Sequence, residues 1–433
     1  MHRGTSGCVA VFAAVVLIAA AQSHSRPISG VYSLKLTKPL SQDAADQIRG
    51  AAMGSFKIDL WEWLREEADV TVDTTNAIQR SHFNAFADTC LSRAKIDQTR
   101  SGHTATITIS LSGEDARPIL EAYNNKCYSI SLRFYTLMKK ALEDNASTNL
   151  YNLGVNTIYY TMGRMGTPIG LPDESTPRSF LLEETRKILQ NFFNKFAVRS
   201  EEYIITGKQG TTLAAPFTVQ VMADTVPLPG ITIACVLAGG KKLCSGTSDN
   251  RGSISFSNFR IPYVAKGATL MLKPDFAAAV LGAGQFDAND LGVTVPDQTI
   301  LFNTIPATFA ISYKPNAANA VTLTKEFSSD GYISRFLRDS CFMAPAQPGG
   351  RTDLYFTIQS QVSSYSQDEL EQTVLKLENE VTIENQNHQA LARKQAVVIE
   401  KGFENSIPIP MGLFFWEATA KSMRMVKDMV KEL

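Results

Sequence analysis

The sequence predicts an α+β chain of several domains: an N-terminal α/β-rich domain, a central β-sandwich and a C-terminal α+β domain. Three patterns carry that expectation. Up to Ile205, apolar residues recur mainly at steps of three and four, the spacing of one helix face, with β-like stretches between them. From Pro216 to Tyr313, short alternating runs are separated by turn residues, the texture of a sandwich. Past Ala320, strand and helix patterns mix again. The boundaries read as a leader over 1–23 and domains over 27–206, 215–314 and 320–433. A chain of 433 residues is long enough for each domain to hold its own core.

The leader sets the compartment. After His2 and Arg3, Val9 to Ala21 is an unbroken run of 13 apolar or small residues, and small-x-small sites stand at Ala19-Ala20-Ala21 and Ala21-Gln22-Ser23. That is the anatomy of a cleaved secretory signal, with the new N-terminus near Gln22 or His24. A spanning helix needs roughly 20 apolar residues, and no later run reaches that length. A lipid anchor would need a cysteine directly after the run, whereas Cys8 precedes it and Cys90 comes next. The expectation is a soluble exported chain, periplasmic or extracellular, with no transmembrane segment in its mature form. Lys+Arg and Asp+Glu number 42 each, so the chain is neutral. It has no dense basic run, which excludes nucleic acid as an expected partner.

Taken in order, "SGVYSLKLT" fits a strand. Ser41 stands where it would cap a helix whose Ala45, Ile48, Ala52, Phe56, Leu60 and Trp63 share one face. "TATITISL" alternates strictly, with Ala105, Ile107, Ile109 and Leu111 on one side, and pairs with "SRAKID" across "TRSGH". A long helix follows, with a stripe through Leu120, Tyr123, Cys127, Ile130, Phe134, Leu137 and Ala141, then helices near Tyr151–Met165 and Ser179–Phe196. This order of strand, helix, hairpin and helix resembles the small α/β domains of secreted envelope lipoproteins and flagellar accessory proteins. "TGKQGTTLAAP" reads as a linker.

The sandwich strands are "FTVQVMA", "GITIACVLA", "KKLCSGT", "SISFSNF", "ATLMLKP", "TILFNT" and "ATFAISY", interrupted by a small helix and loop over Phe276–Val295. In the last domain "TDLYFTIQSQV" reads as a strand. Leu370, Val374, Leu377 and Val381 read as a helix face, with "VTI" extending into a strand, Leu391–Phe403 as a second helix and Leu413–Leu433 as a closing one.

Two of the six cysteines stand in "CVLAGGKKLC". With Gly239-Gly240 as the centre of a tight hairpin, Cys235 and Cys244 fall opposite each other at a non-hydrogen-bonded position, where Cα atoms lie about 4.5 Å apart. A disulfide accepts that separation, and an oxidising compartment favours its formation. Zinc would need further ligands nearby, and none is present. A redox motif usually has two residues between its cysteines and a helix N-terminus, and neither occurs here. A structural staple is the expected reading. Cys90 and Cys127, on two apolar helix faces, read either as buried thiols or as a second pair, with Cys341 left over beside Phe342.

The same region resembles a known family. "PLPGITI" followed by "SDNRGSISF" is similar to the transthyretin-like, carboxypeptidase-regulatory-like β-sandwich, an Ig-like module, with Ser248 in place of the usual threonine and Asp249 and Gly252 matching. The resemblance covers residues 216–275 and implies a non-catalytic module for spacing or binding. It implies that Asp249 accepts backbone hydrogen bonds within the turn and that Gly252 takes a positive φ.

No constellation of catalytic residues accompanies it. His82, His103 and His388 are scattered, and no zinc-protease helix or nucleophile elbow occurs. "GKQGTT" lacks the spacing of a phosphate loop, and "DANDLG" lacks the ligands of a calcium loop at Leu291 and Gln298. No metal or other cofactor is expected. Asn145 heads one glycosylation sequon. The last helix carries Trp416, Met423, Met425 and Met429, which read as a partner-docking face or as the closing piece of a core. The function expected is a soluble, non-catalytic binding or scaffold protein of the cell envelope, with a protein or other envelope component as partner. The alternative is a secreted hydrolase with a two-carboxylate site. Oligomeric state is not specified by any of these patterns.

Overall fold

The computed structural model describes residues 26–35, 42–101, 104–144, 147–166, 168–172, 180–202, 204–237, 240, 242–263, 268–280, 282–296, 298–317, 330–367, 372–404 and 411–433. The expected leader, the cap at Ser41, His103, Asn145 and the Gly239 turn residue lie outside them. The class is α+β. The chain divides into two compact units that interleave along the sequence. Unit 1 comprises Met1–Ala197, Ala223–Leu228 and Asp275–Pro296; unit 2 comprises Val198–Met222, Pro229–Pro274 and Asp297–Leu433.

Unit 1 is built on the antiparallel sheet β1-β3-β2, made of β1 (Ile28–Lys35), β2 (Lys95–Ser101) and β3 (Thr104–Leu111). As the alternation requires, Ala105, Ile107, Ile109 and Leu111 of β3 are all buried. Helix α1 (Gln42–Glu66) lays Ile48, Ala52, Phe56, Leu60 and Trp63 into the same core, joined by Phe83, Phe86 and Cys90 of α2 (Ala77–Leu91). Gly30 lets α1 approach β1 closely, because a Cβ at this position would overlap the Ala52 carbonyl oxygen and the Phe56 nitrogen.

The long helix α3 (Gly113–Glu143) starts at Ser112, whose hydroxyl caps the Asp115 N–H. Its stripe holds through Leu120 and Cys127, then turns by one residue. Ser131, Tyr135 and Met138 are buried, where Ile130, Phe134 and Leu137 were expected, and Leu137 is 44 % exposed. Over more than eight turns a straight helix drifts off a strict apolar repeat. Helices α4 (Ser147–Gly163) and α5 (Leu181–Phe193) complete the bundle.

The segment read as an interruption of the sandwich belongs to this unit. It carries the one-turn helices α6 (Phe276–Ala279) and α7 (Ala288–Leu291). "DANDLG" is a capping box closed by Asp287 and Asp290, with Gly292 at φ 72° as C-cap. Asp290 also caps α2 from outside, accepting from the Ala77 N–H at 2.7 Å, while Asn76 Nδ2 donates to its carbonyl at 2.9 Å. Arg186 of α5 donates to the Leu291 carbonyl at 2.8 Å.

Unit 2 holds a pair of sheets and a third beyond them. Along the chain come β4 (Phe196–Ser200), β5 (Ile204–Lys208), β6 (Phe217–Ala223), the two-residue β7 (Val226–Pro227), which is counted with unit 1, β8 (Thr232–Leu237), β9 (Lys242–Thr247), β10 (Ser253–Phe256), β11 (Ala268–Pro274) and β12 (Gln298–Ile305). One sheet has the order β5-β12-β11-β8-β9 and the other β10-β6-β4. Gly246 of β9 lies against Ile254 and Phe256 of β10, where a side chain at 246 would collide with Ile254. The turn between β9 and β10 closes on Asp249, which accepts from the N–H groups of Arg251 and Ser253 at 2.8 Å each, with Gly252 at φ 72°.

The expected linker is structured. Lys208 ends a strand parallel to β12, Gln209 is buried, and Gly210, at φ 75°, sits where any side chain would strike the Tyr263 ring. A small, polar composition made this stretch resemble a loop, but its side chains are occupied as hydrogen-bonding partners.

β13 (Thr308–Ala317), read from the sequence as a sandwich strand, instead joins the sheet β14-β13-β15-β16-β17 with β14 (Ala344–Pro345), β15 (Leu354–Gln367), β16 (Gln372–Asn385) and β17 (Ala390–Glu404). Two expected helices are therefore strands, β16 and β17. In β16 the buried parity is Asn379, Val381, Ile383. The asparagine broke the apolar alternation and left a helical step of three and four visible instead. It is satisfied in the core by Ser422 Oγ at 2.8 Å. That hydroxyl comes from the closing helix α9 (Met411–Glu432), and α8 (Asp330–Asp339) adds Ile333 and Leu337 to the same cluster.

Gly30→Ala is expected to lower stability by about 3 kcal/mol, the upper range for overpacking against a backbone that has no rotamer to yield. Urea denaturation followed by circular dichroism checks it, with Gly50→Ala, at an open position inside α1, as the control expected to gain up to about 1 kcal/mol.

Candidate functional site

The hairpin of β8 and β9 brings Cys235 and Cys244 together. Thr232↔Thr247, Ile233↔Gly246, Ala234↔Ser245 and Cys235↔Cys244 are register partners, as expected. Toward the tip, where Ala238, Gly239 and Lys241 lie outside the described residues, the register differs from the expected one. Between Cys235 and Val236 the register shifts, so that Val236 faces Lys242 and Leu243 is the extra residue of a bulge. A two-residue Gly239-Gly240 turn would have continued the first register to its tip. The cysteines are opposite all the same, and their side chains are hydrogen-bonded to each other as free thiols.

Cys90 and Cys127 are also free and buried, in different surroundings. Cys90 packs in the core of the three-stranded sheet, and Cys127 lies beside Tyr123 and Tyr160. Burial raises the Cys90 thiol to about 12 and the Cys127 thiol to about 11. Cys341 is buried in unit 2 and raised by burial to about 11.

The closing helix spends its methionines on the core. Met429 is fully buried, and Met423 and Met425 pack against the same cluster, so these three do not form a free docking face. The Trp416 side chain lies outside the described residues. An apolar stripe is the same in either case. What decides it is whether a sheet such as β16-β17 lies beneath.

A polar cluster that the sequence did not signal sits among three helices of unit 1. His82 occupies the α2 stripe with Ile78 and Phe86, four residues away on either side, and is 4 % exposed. Its Nδ1 lies 2.8 Å from the Tyr123 hydroxyl of α3 and its Nε2 3.1 Å from the Tyr159 carbonyl of α4. A carbonyl only accepts, so Nε2 carries the proton and Nδ1 accepts from Tyr123. Gly163 leaves room for the ring, since a Cβ there would overlap it. Desolvation lowers the imidazole to about 4. With both nitrogens occupied and no solvent path, this histidine joins helices and has no free position for a substrate.

Two cavities lie within unit 1. One, of about 210 Å³, is lined by Gln79, Thr161, Arg164, Met165, Ile169 and Phe180 among others, and the second, of about 220 Å³, by Leu150, Ile188, Phe192, Lys195 and neighbours. Among the described residues, neither lining contains an Asp or Glu. Among the described residues, no three His, Cys, Asp or Glu side chains stand close enough to hold a metal ion.

The outer face of the five-stranded sheet is more distinctive. Ile204 of β5 and Leu301 of β12 are register partners and are 61 % and 59 % exposed. Half-buried Met271 of β11 stands diagonal to Leu301 and directly beside half-buried Val236 of β8. Ile305, 48 % exposed, lies on the same face of β12 as Leu301. An apolar row thus crosses four strands on the open side of the sheet.

No family model and no curated protein matches the chain. Among solved structures, it is similar to the lipoprotein GNA1162 from Neisseria meningitidis at 10 % identity, covering 28 % of this chain and 99 % of that one with a TM-score of 0.19. Among the described residues no helix is long and apolar enough to cross a membrane.

His82 generates a pH test. Its folded pKa lies below the unfolded value of 6.5, so its neutral form stabilises the fold fully above 6.5, and that contribution is lost as pH falls toward 4. The difference corresponds to about 3 kcal/mol. Urea titrations at pH 7 and pH 4 are expected to show wild type losing that much more stability than His82→Gln.

Proposed function

We propose that this chain is an exported, soluble, non-catalytic binding or scaffold protein of the cell envelope, with the sandwich of unit 2 as its docking module. The apolar row Val236, Met271, Leu301 and Ile204 is the observation that carries the reading. Ile204 and Leu301, exposed side by side on an ordered sheet with Met271 and Val236 along the same diagonal, offer the kind of apolar surface that a partner covers. The Asp249–Gly252 turn and the buried Ser248, whose hydroxyl accepts from the Ile231 N–H at 2.9 Å, support a transthyretin-like, Ig-like module. Export rests on the apolar run Val9–Ala21. The alternative, a hydrolase, would need two carboxylates facing one cleft, and among the described residues no carboxylate lines either cavity.

The test is a photo-crosslinking side chain placed at Leu301 in intact cells, with Ile58, 64 % exposed on α1, as the control position. A discrete adduct with an envelope component from Leu301 and none from Ile58 is expected. Osmotic release without detergent should yield a chain starting near Gln22 or His24. A chain retaining Met1 inside the cell, or equal labelling from both positions, would overturn the proposal.

A further inference from the structure

The two thiols of the β8–β9 hairpin are not equivalent. Cys235 is fully buried, with Leu272 of β11 as its register partner on one side and Cys244 on the other. Cys244 sits on β9, the last strand of its sheet, and is only half-buried. Opposed residues on neighbouring antiparallel strands have Cα atoms about 4.5–5.5 Å apart, within disulfide reach. The direct contact of the two thiols places their sulfurs on one side of the hairpin. Their hydrogen bond, and then burial, raise the Cys235 thiol. The same bond, helped by the Lys242 ammonium, outweighs burial and lowers that of Cys244.

We propose that Cys235 and Cys244 form a reversible dithiol–disulfide couple in which exchange enters at the edge-strand sulfur of Cys244 and closes at the buried sulfur of Cys235. The co-reactant is an external disulfide, either glutathione disulfide or that of an exported thiol–disulfide oxidoreductase. The Cys244 thiolate attacks one sulfur of that disulfide, forming a mixed disulfide and releasing one thiolate, which takes up a proton. Cys235 then loses its proton to solvent and attacks Cys244 Sγ, releasing the second thiol. The protein gives up two electrons and two protons, and the external disulfide becomes two thiols. Reduction runs the same path backwards, with an incoming thiolate attacking Cys244. Cys90, Cys127 and Cys341 have buried sulfurs with raised thiols and serve as internal controls.

The full chain is equilibrated in glutathione buffers of graded ratio, quenched in acid, alkylated and mapped by peptide mass. Cys235 and Cys244 should leave the alkylated pool together in one two-electron transition, while the three controls stay reduced. In rapidly quenched wild-type protein, glutathione should be found on Cys244 and not on Cys235. Cys235→Ser should accumulate the glutathione adduct at Cys244, and Cys244→Ser should react at Cys235 at least about tenfold more slowly. Both thiols alkylated at the most oxidising ratio would overturn the couple. A first adduct on Cys235 in wild type would overturn the order of attack, even if either serine variant failed to fold.

Discussion

Unit 2 depends on the joint where β12 leaves one sheet and β13 enters another. Four residues, Ile305 to Thr308, carry the backbone across, and its polar groups there need partners other than a ladder. Gln209 supplies two of them and reaches beyond the joint with a third bond. Its N–H donates to the Ile305 carbonyl at 3.0 Å, its side-chain oxygen accepts from the Ala307 N–H at 2.9 Å, and its Nε2 donates to the Cys341 carbonyl at 3.2 Å. The Ala344 N–H donates to the Ala307 carbonyl at 2.9 Å, and Asp353 accepts from the Thr308 N–H and hydroxyl and from Lys208 Nζ at 2.8 Å each. Burial alone would raise that carboxyl, but the Lys208 ammonium and the Thr308 donors outweigh it and hold it below the ordinary value.

The joint also explains why "TGKQG" is ordered. Lys208 and Gln209 reach the joint only because β5 runs parallel to β12 and ends beside it. Gly210 then passes under Tyr263, which belongs to the C-terminal core together with Phe309 and Phe356. One short polar stretch thus completes the edge of one sheet and satisfies the next. Burying these polar groups is tolerable because each has a partner.

The same accounting applies to three further polar groups that are buried or half-buried. Asn379 meets Ser422, His82 meets Tyr123 and the Tyr159 carbonyl, and Asp290 meets the start of α2. Each partner lies tens to hundreds of residues away. In every case one helix or strand is fixed relative to another by a directional bond, where apolar packing alone would tolerate a shift in register. The cysteine pair is different, because its register is local and its chemistry depends on which strand is the edge.

The sequence by itself determined those elements whose pattern repeats without interruption. β3, the buried face of α1, the short strands from Phe217 to Thr304 and the opposition of Cys235 to Cys244 all follow from alternation or helical steps within one segment. Tertiary structure decided the rest. It made two expected helices the strands β16 and β17, because Asn379 interrupts the alternation and is satisfied in the core by a hydroxyl brought by α9. It assigned Met423, Met425 and Met429 to a core, and it gave Cys244 an edge position and Cys235 a buried one. The physical reason is common to these cases. Periodicity records which side of an element is apolar, but what covers that side, and which partner satisfies a buried polar group, is set by residues distant in the chain.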